Sequence, residues 1–221
     1  MKFVNLGKSD ARLIELAPRI DERGSFTRTW CADSFAAQGI DFRPVQGNNS
    51  LTRIRGSVRG MHFQKAPKAD AKIVRCTAGR IYDVIVDARP ASPTRGEIFA
   101  NELSPSSATM VYIPAGFAHG FQTLEDNSVV EYLMGVEYVE ELSDGFRHDD
   151  PVVHGQGEDA FRPQRLDGLE DHVGLDAHEQ VDQDPARIGD VAERPRRAPW
   201  LGQERIARDR RLHHRRRGMI A

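Results

Sequence analysis

The chain has 221 residues, enough for one domain with a substantial core and too few to require a second. Lys and Arg number 31 against 33 Asp and Glu, and the formal net charge of -2 gives no field that would make nucleic acid or an anionic membrane the main partner. No run reaches the roughly 18 apolar residues of a membrane span, and Met1 to Asp10 lack a signal-peptide core, so a cytoplasmic protein with a small ligand is expected. Cys31 and Cys76 stand alone and far apart, which argues against a disulfide framework or a thiolate zinc site and for reduced, packed side chains.

From Phe3 to about Val153, short apolar or alternating runs are separated by Gly, Pro, Asn and Asp, the texture of an antiparallel β domain. Asp21-Glu22-Arg23-Gly24-Ser25-Phe26 predicts a turn leading into a strand. Ala32 to Gln38 predicts the one convincing short helix, ended by Gly39 in the C′ position. A polar segment, Gln46-Gly47-Asn48-Asn49-Ser50, precedes Arg59-Gly60-Met61-His62-Phe63-Gln64, where His62 sits between apolar neighbours on a strand and Gly60 lets the backbone bend or approach a ligand. Ala71 to Cys76 and Ile81 to Val86, both rich in β-branched residues, flank Thr77-Ala78-Gly79-Arg80 and predict a hairpin, with Lys72 the polar residue leading its first strand. Asp83 and Asp87 alternate with apolar residues, and Ser92-Pro93-Thr94 reads as a turn whose hydroxyls cap local backbone groups. Thr109 to Ile113 predicts a strand stopped by Pro114, and Pro114-Ala115-Gly116 then delivers His119 into a hydrophobic setting. Ser128 to Tyr138 predicts a last strand bearing Tyr132 and Tyr138. Many strands with hardly any helix point to an all-β sandwich or barrel.

Beyond about Val153 the composition changes. Thirteen arginines appear without a lysine, alongside 13 acidic residues, few aromatics and no sustained period of 2 or 3.6. Residues 1–153 are therefore read as the folded domain and 154–221 as a disordered tail. Arg210-Arg211-Leu212-His213-His214-Arg215-Arg216-Arg217 has the look of a nucleic-acid patch, but the balance of acids in the tail speaks against one. Arginine as the sole cation is also what out-of-frame translation of a GC-rich gene yields.

Within the core, a His, a Lys, a second His and two Tyr on successive strands can all point into one barrel, because alternate residues share a face. Their chemistry fits one reaction class. Taking a proton from the carbon beside a ketone needs a base titrating near working pH, a role His suits. The enolate needs a cation or donor at its oxygen, which Lys72 supplies. A phenol can return the proton from the other side. His62, Lys72 and a Tyr thus form a metal-free epimerase set.

These motifs, with Asp83-Val84-Ile85-Val86-Asp87, Ser92-Pro93-Thr94 and Pro114-Ala115-Gly116-Phe117-Ala118-His119-Gly120-Phe121, resemble the dTDP-4-dehydrorhamnose 3,5-epimerase family over residues 3 to 153. The resemblance implies a cupin-type jelly roll and epimerisation at carbon 3, carbon 5 or both of a nucleotide-linked 4-keto-6-deoxyhexose, with no cofactor and no metal. It implies that His62 is the base, Lys72 steadies the enolate and Tyr132 is the opposite-face acid. His119 and Tyr138 match pocket residues. Arg23, Phe26, Gln46, Asn48 and Arg59 match positions that hold the nucleotide diphosphate, for which a guanidinium fork is apt. Family members are homodimers, and the strand with Arg23 and Phe26 is expected to serve the neighbouring subunit's site.

Three departures qualify the likeness. Arg28 stands where the family usually has an acidic residue at a nucleotide-contacting position. Gly145-Phe146-Arg147-His148-Asp149-Asp150-Pro151 has His148 in place of a Trp. Nothing after Val153 matches the segment that gives the catalytic His its Asp partner, so weakened activity, or binding without turnover, is the alternative expectation. A metal-dependent cupin is disfavoured because Gln64 stands where a second metal-binding His would fall, with Lys68 and Ala69 where the Glu would.

Overall fold

Fourteen short elements follow one another in the computed structural model, which describes residues 1–147. They are β1 (Lys2–Asn5), β2 (Arg12–Glu15), β3 (Arg19–Asp21), β4 (Gly24–Phe26), α1 (Ala32–Ala36), β5 (Gln46–Thr52), β6 (Val58–Gln64), β7 (Lys72–Ala78), β8 (Ile81–Asp87), β9 (Ile98–Leu103), β10 (Thr109–Ile113), β11 (Phe117–Thr123), β12 (Ser128–Met134) and β13 (Ser143–Gly145), with one 3₁₀ turn at Glu140–Leu142. The tail from 154 onward, His148, Asp149 and Asp150 lie outside the described residues. No helix among the described residues is long and apolar enough to cross a membrane.

Two antiparallel sheets face each other, in the orders β1-β2-β10-β7-β12-β5 and β13-β6-β11-β8-β9, while β3 and β4 pair only with one another. Strand alternation sorts the side chains into three apolar layers. Val74, Cys76, Val111, Ile113 and Val130 from the first sheet meet Ile81, Ile85, Leu103, Phe117 and Phe121 from the second in the lumen. Ile14, Ile73 and Met110 point outward from the first sheet and are covered by Phe35, Ile40 and Phe42 around α1. Met61, Val84, Val86 and Ala118 form the outer layer of the second sheet. This is the all-β, cupin-type architecture expected from the sequence.

The helix begins where expected and its regular part ends at Ala36, after which a Schellman closure forms: Gly39 N–H donates to Ala36 O at 2.9 Å and Ile40 N–H to Phe35 O at 3.1 Å. Phe35 and Ile40, joined by that last bond, are also packed together in one cluster. The helix end is thus fixed by local hydrogen bonds and by burial at once.

Two expectations are corrected. The strands around Thr77-Ala78-Gly79-Arg80 do not pair as a hairpin: β7 lies between β10 and β12, and β8 lies in the facing sheet between β11 and β9. Gly79, at φ +68°, turns the chain from one sheet to the other beside Ser128, whose Oγ would lie 2.5 Å from a Cβ at Gly79. The same Ser128 hydroxyl accepts from Arg80 N–H at 3.3 Å and donates to Glu125 O at 2.7 Å, which fixes the corner. The strand from Ser128 also stops at Met134 and does not reach Tyr138. Gly135 N–H still bonds Ala71 O at 2.9 Å, and beyond it the N–H groups of Tyr138 and Val139 are taken by the Gln46 and Gln64 side chains at 2.9 and 2.7 Å.

Candidate active site

Alternation decides what enters the lumen. Met61 and Phe63 belong to the outer layer of the second sheet, so His62 between them faces inward; Ala118 is outward, so His119 is inward; Val84 and Val86 are outward, so Asp83 is inward. From the first sheet, outward Ile73 and Leu133 leave Lys72, Tyr132 and Met134 facing the lumen. His62, His119 and Asp83 therefore approach from one sheet, Lys72 and Tyr132 from the other.

His62 stands directly opposite His119 in the β6–β11 pairing. Gly60 permits the close approach of these strands: it sits at φ +109°, and a Cβ there would lie 2.5 Å from Gly120 Cα and 2.6 Å from His119 O. His62 is itself exposed. Desolvation by the surrounding strands nevertheless lowers its pKa, and the charges of Lys72, His119 and Arg59 lower it further. Nothing among the described residues hydrogen-bonds His62 through a carboxylate. The carboxylate on this part of the second sheet belongs to His119: its Nε2 lies 2.6 Å from Asp83 Oδ1, with Asp83 fully buried and its second oxygen unpartnered among the described residues.

Lys72 is buried with Asp70, Nζ to Oδ2 2.7 Å. Tyr132 lies in register with Asn48 on β5 and Val74 on β7. Burial raises its pKa; Arg59 acts in the opposite sense, while Asp70 and Tyr138 add to the rise. Gln46 and Asn48 continue this wall and are joined by a 3.1 Å hydrogen bond, and Asn48 reaches Met134 Sδ at 3.3 Å. Arg59 donates to Thr52 Oγ1 at 2.9 Å, bridging β6 to β5 at the mouth. Gln64, where a metal-dependent cupin would place its second His, spends its side chain on the Lys68 and Glu137 carbonyls and the Val139 N–H. Cys76 is in the lumen core, its thiol pushed up to about 11 by burial and so unreactive near neutrality.

Arg23, Phe26 and Arg28 are not brought to these residues within the chain. Arg23 and Phe26 lie on the β3–β4 hairpin, where Arg23 pairs with Asp21 at 2.6 Å and Phe26 is 71% exposed. Arg28 follows the hairpin, its Nη1 3.9 Å from Cys31 Sγ. Tyr138 lies past the end of β12 and is half exposed. The sequence does not single out Asp70, which lies in the loop that precedes Lys72. Asp83, which the sequence shows only as alternating with apolar residues, is given by the structure to His119. Asp87 proves to be buried in a structural cluster with Arg89, Ser92 and Thr94, so Ser92-Pro93-Thr94 is more than a local turn.

Facing sheets with an imidazole, an ammonium and a phenol converging between them are those of a cupin-type isomerase. Residues 7–158 match the family described as dTDP-4-dehydrorhamnose 3,5-epimerase, and the chain belongs to that family. It is 40% identical over 153 residues to the dTDP-4-dehydrorhamnose 3,5-epimerase of Sinorhizobium fredii, covering 69% of this chain and 78% of the relative. The enzyme of the same name from Bacillus anthracis, solved with TDP and PPi bound, superposes with a TM-score of 0.68 at 33% identity, over 75% of this chain and 90% of that one. The epimerase of Legionella pneumophila in complex with dTDP-4-keto-L-rhamnose gives a TM-score of 0.66 at 32% identity, over 71% and 85%.

Proposed function

We propose that residues 1–153 form a cytoplasmic, cofactor-free epimerase that inverts carbon 3, carbon 5 or both of a dTDP-linked 4-keto-6-deoxyhexose, as in deoxysugar biosynthesis. The observation that carries the reading is the placement of His62 and Tyr132 on facing sheets, with Lys72 beside Tyr132 on the first. A sugar ring between the sheets has the base on one face and the phenol on the other. Neutral His62 takes the proton from the carbon next to the ketone, and the C–H electron pair moves to the C4 oxygen. That enolate is stabilised by the Lys72 ammonium, a preorganised donor in a poorly hydrated site. The phenol of Tyr132 then protonates the carbon from the opposite face, and both side chains recover their starting protonation through solvent. Atoms and charge balance, and only configuration changes.

His119 and Tyr138 belong to the same pocket, and Gln46, Asn48 and Arg59 serve the nucleotide diphosphate. A homodimer completes the site, with Arg23, Phe26 and Arg28 reaching the partner. In support, the β3–β4 hairpin pairs with nothing else and exposes Ile20 and Phe26 at 80% and 71%. The test is solvent exchange: incubated with a dTDP-4-keto-6-deoxyhexose in heavy water, the protein should place deuterium at carbon 3 or 5. Nucleotide binding without label would leave a sugar-nucleotide-binding protein instead. One observation favours that second reading, or slow turnover: His62 has no carboxylate partner among the described residues.

A further inference from the structure

Asp70 is 2% exposed, and both its carboxylate oxygens are used. Oδ2 lies 2.7 Å from Lys72 Nζ, and Oδ1 accepts the Gln64 backbone N–H at 2.9 Å. Gln64 is the last residue of β6, two places after His62, and Lys72 is the first of β7. One side chain thus ties the end of the strand that bears the base to the start of the strand that bears the cation. The intervening loop, 65–71, is held by Gln64, whose Nε2 donates to Lys68 O at 2.6 Å. A buried ammonium needs an anion or it is destabilising, and a carboxylate with one oxygen committed to backbone is a poorly movable anion.

We propose that Asp70 is a positioning residue of the epimerase site: it neutralises and aims the Lys72 ammonium toward the enolate oxygen while fixing the His62 strand at the same distance from it. The proposal rests on the enolate role given to Lys72 above. Electrostatically Asp70 acts on both sheets' chemistry, since Lys72 is the foremost charge depressing His62 and Asp70 itself helps to raise Tyr132. Its negative charge limits the first effect and produces the second.

Asp70→Asn is the discriminating variant, since it keeps the acceptor for Gln64 N–H and removes the charge. The enolate charge exists only around the transition state, so kcat for carbon-3 exchange should fall about 10- to 100-fold with KM within about threefold of wild type. The alkaline limb of the pH profile should move down, because Tyr132 loses a charge that favours the phenol. The imidazole of His62, followed by NMR, should titrate lower than in wild type, because the Lys72 charge then acts uncompensated. A fully folded Asp70→Asn with wild-type kcat and unmoved titrations overturns the proposal. If that variant does not fold, the Asp70→Asn/Lys72→Met double variant, which buries no unpaired ammonium, decides: exchange equal to Lys72→Met alone shows that Asp70 acts through Lys72, and a further loss shows a separate structural role. Absence of exchange in the wild type would instead sink the proposed function, and the His62 titration alone would then decide whether Asp70 balances the Lys72 charge.

Discussion

His62 and His119 lie opposite one another on neighbouring strands, yet the buried carboxylate of Asp83 sits on His119, at 2.6 Å, and not on His62. Two chemically identical rings in one lumen are thereby made different. His119 is fixed in orientation and tautomer by its acid, as an imidazole paired through one nitrogen must be. His62 is left exposed, with cations nearby. The cations beside His62 favour its neutral, proton-accepting form, while Asp83 fixes His119 in the wall of the pocket.

Replacing His62 with Ala should remove exchange at both carbons, by at least the roughly 10²- to 10⁴-fold that a positioned general base contributes. The ring is partly exposed and makes no hydrogen bond among the described residues, so folding should be unaffected. Deuterium incorporation read by NMR, alongside a melting temperature within about 2 °C of wild type, checks both halves. Exchange persisting at either carbon would assign the base elsewhere, with His119 the next to test.

The pH profile follows from the two titrating groups. His62 acts when neutral, and desolvation, then Lys72, His119 and Arg59, push its pKa below the ordinary 6.5. Activity should therefore be retained as pH falls through 6.5 and be lost only below it. Tyr132 acts when protonated; burial, opposed by Arg59 and assisted by Asp70 and Tyr138, holds it above the ordinary 10, so the alkaline limb should lie above 10. Lys72→Met removes a depressing charge and should move the acid limb upward. Initial rates of label incorporation across pH give both limbs, and an acid midpoint above 6.5 in the wild type would contradict the assignment of His62.

Tyr132→Phe should separate the two proton transfers. The phenol faces the base from the other sheet, so its loss should spare initial proton removal at carbon 3 or 5 and suppress inversion, by about 10²-fold or more. Loss of substrate-derived deuterium and appearance of inverted product, measured in one time course, report the two steps. Equal loss of both would remove Tyr132 from the acid role.

Much of this arrangement is legible in the sequence because strand alternation is a local rule. Given that Met61 and Phe63 are core residues, His62 must face the other way, and the same holds for Lys72 beside Ile73 and Tyr132 beside Leu133. What the sequence does not announce is which sheet a strand joins. Gly79 marks a sharp turn in either case, but only the packing of Ser128 against it makes the turn a corner between sheets instead of a hairpin. Val136 and Tyr138 suit a strand in the sequence, but the side chains of Gln46 and Gln64, distant in sequence, capture the backbone there. Asp70 sits in a polar stretch, Lys65 to Asp70, that reads as solvated loop, and its burial depends on β6 and β7 flanking it.

Asp87 gives a stability prediction separate from catalysis. It is fully buried at the end of β8 and accepts from Arg89 Nε at 2.9 Å, Arg89 Nη2 at 2.7 Å, Ser92 Oγ at 2.6 Å and Thr94 Oγ1 at 2.7 Å. Burial pushes its pKa up, and the bonds from Arg89, Ser92 and Thr94 outweigh that and hold it well below the usual carboxylate range. The stability this contributes is present above the unfolded-state carboxylate pKa and is lost as pH falls toward the depressed folded value. Asp87→Ala leaves buried donors unpaired and should cost about 2–4 kcal/mol, a fall of roughly 5–10 °C in Tm, with exchange at 20 °C retained. Thermal unfolding at pH 7 and at pH 3 checks size and sign: the gap between wild type and variant should narrow once the pH falls below the ordinary carboxylate value of 3.8.

The dimer reading is tested by complementation. His62→Ala and Arg23→Ala should each be inactive or severely slowed, since one lacks the base and the other a diphosphate ligand. If the β3–β4 hairpin serves the neighbouring subunit, a mixed dimer has one site with His62 from the Arg23→Ala chain and Arg23 from the His62→Ala chain. That site is intact, and the other lacks both residues. Equal mixing with random re-pairing makes half the dimers mixed, so about a quarter of wild-type sites should return. If Arg23 instead serves its own chain, each site in a mixed dimer lacks one residue and nothing is regained. Mixing the purified variants under mild dissociating conditions and measuring exchange after re-association distinguishes the two, and full inactivity of the mixture would confine Arg23 to its own subunit.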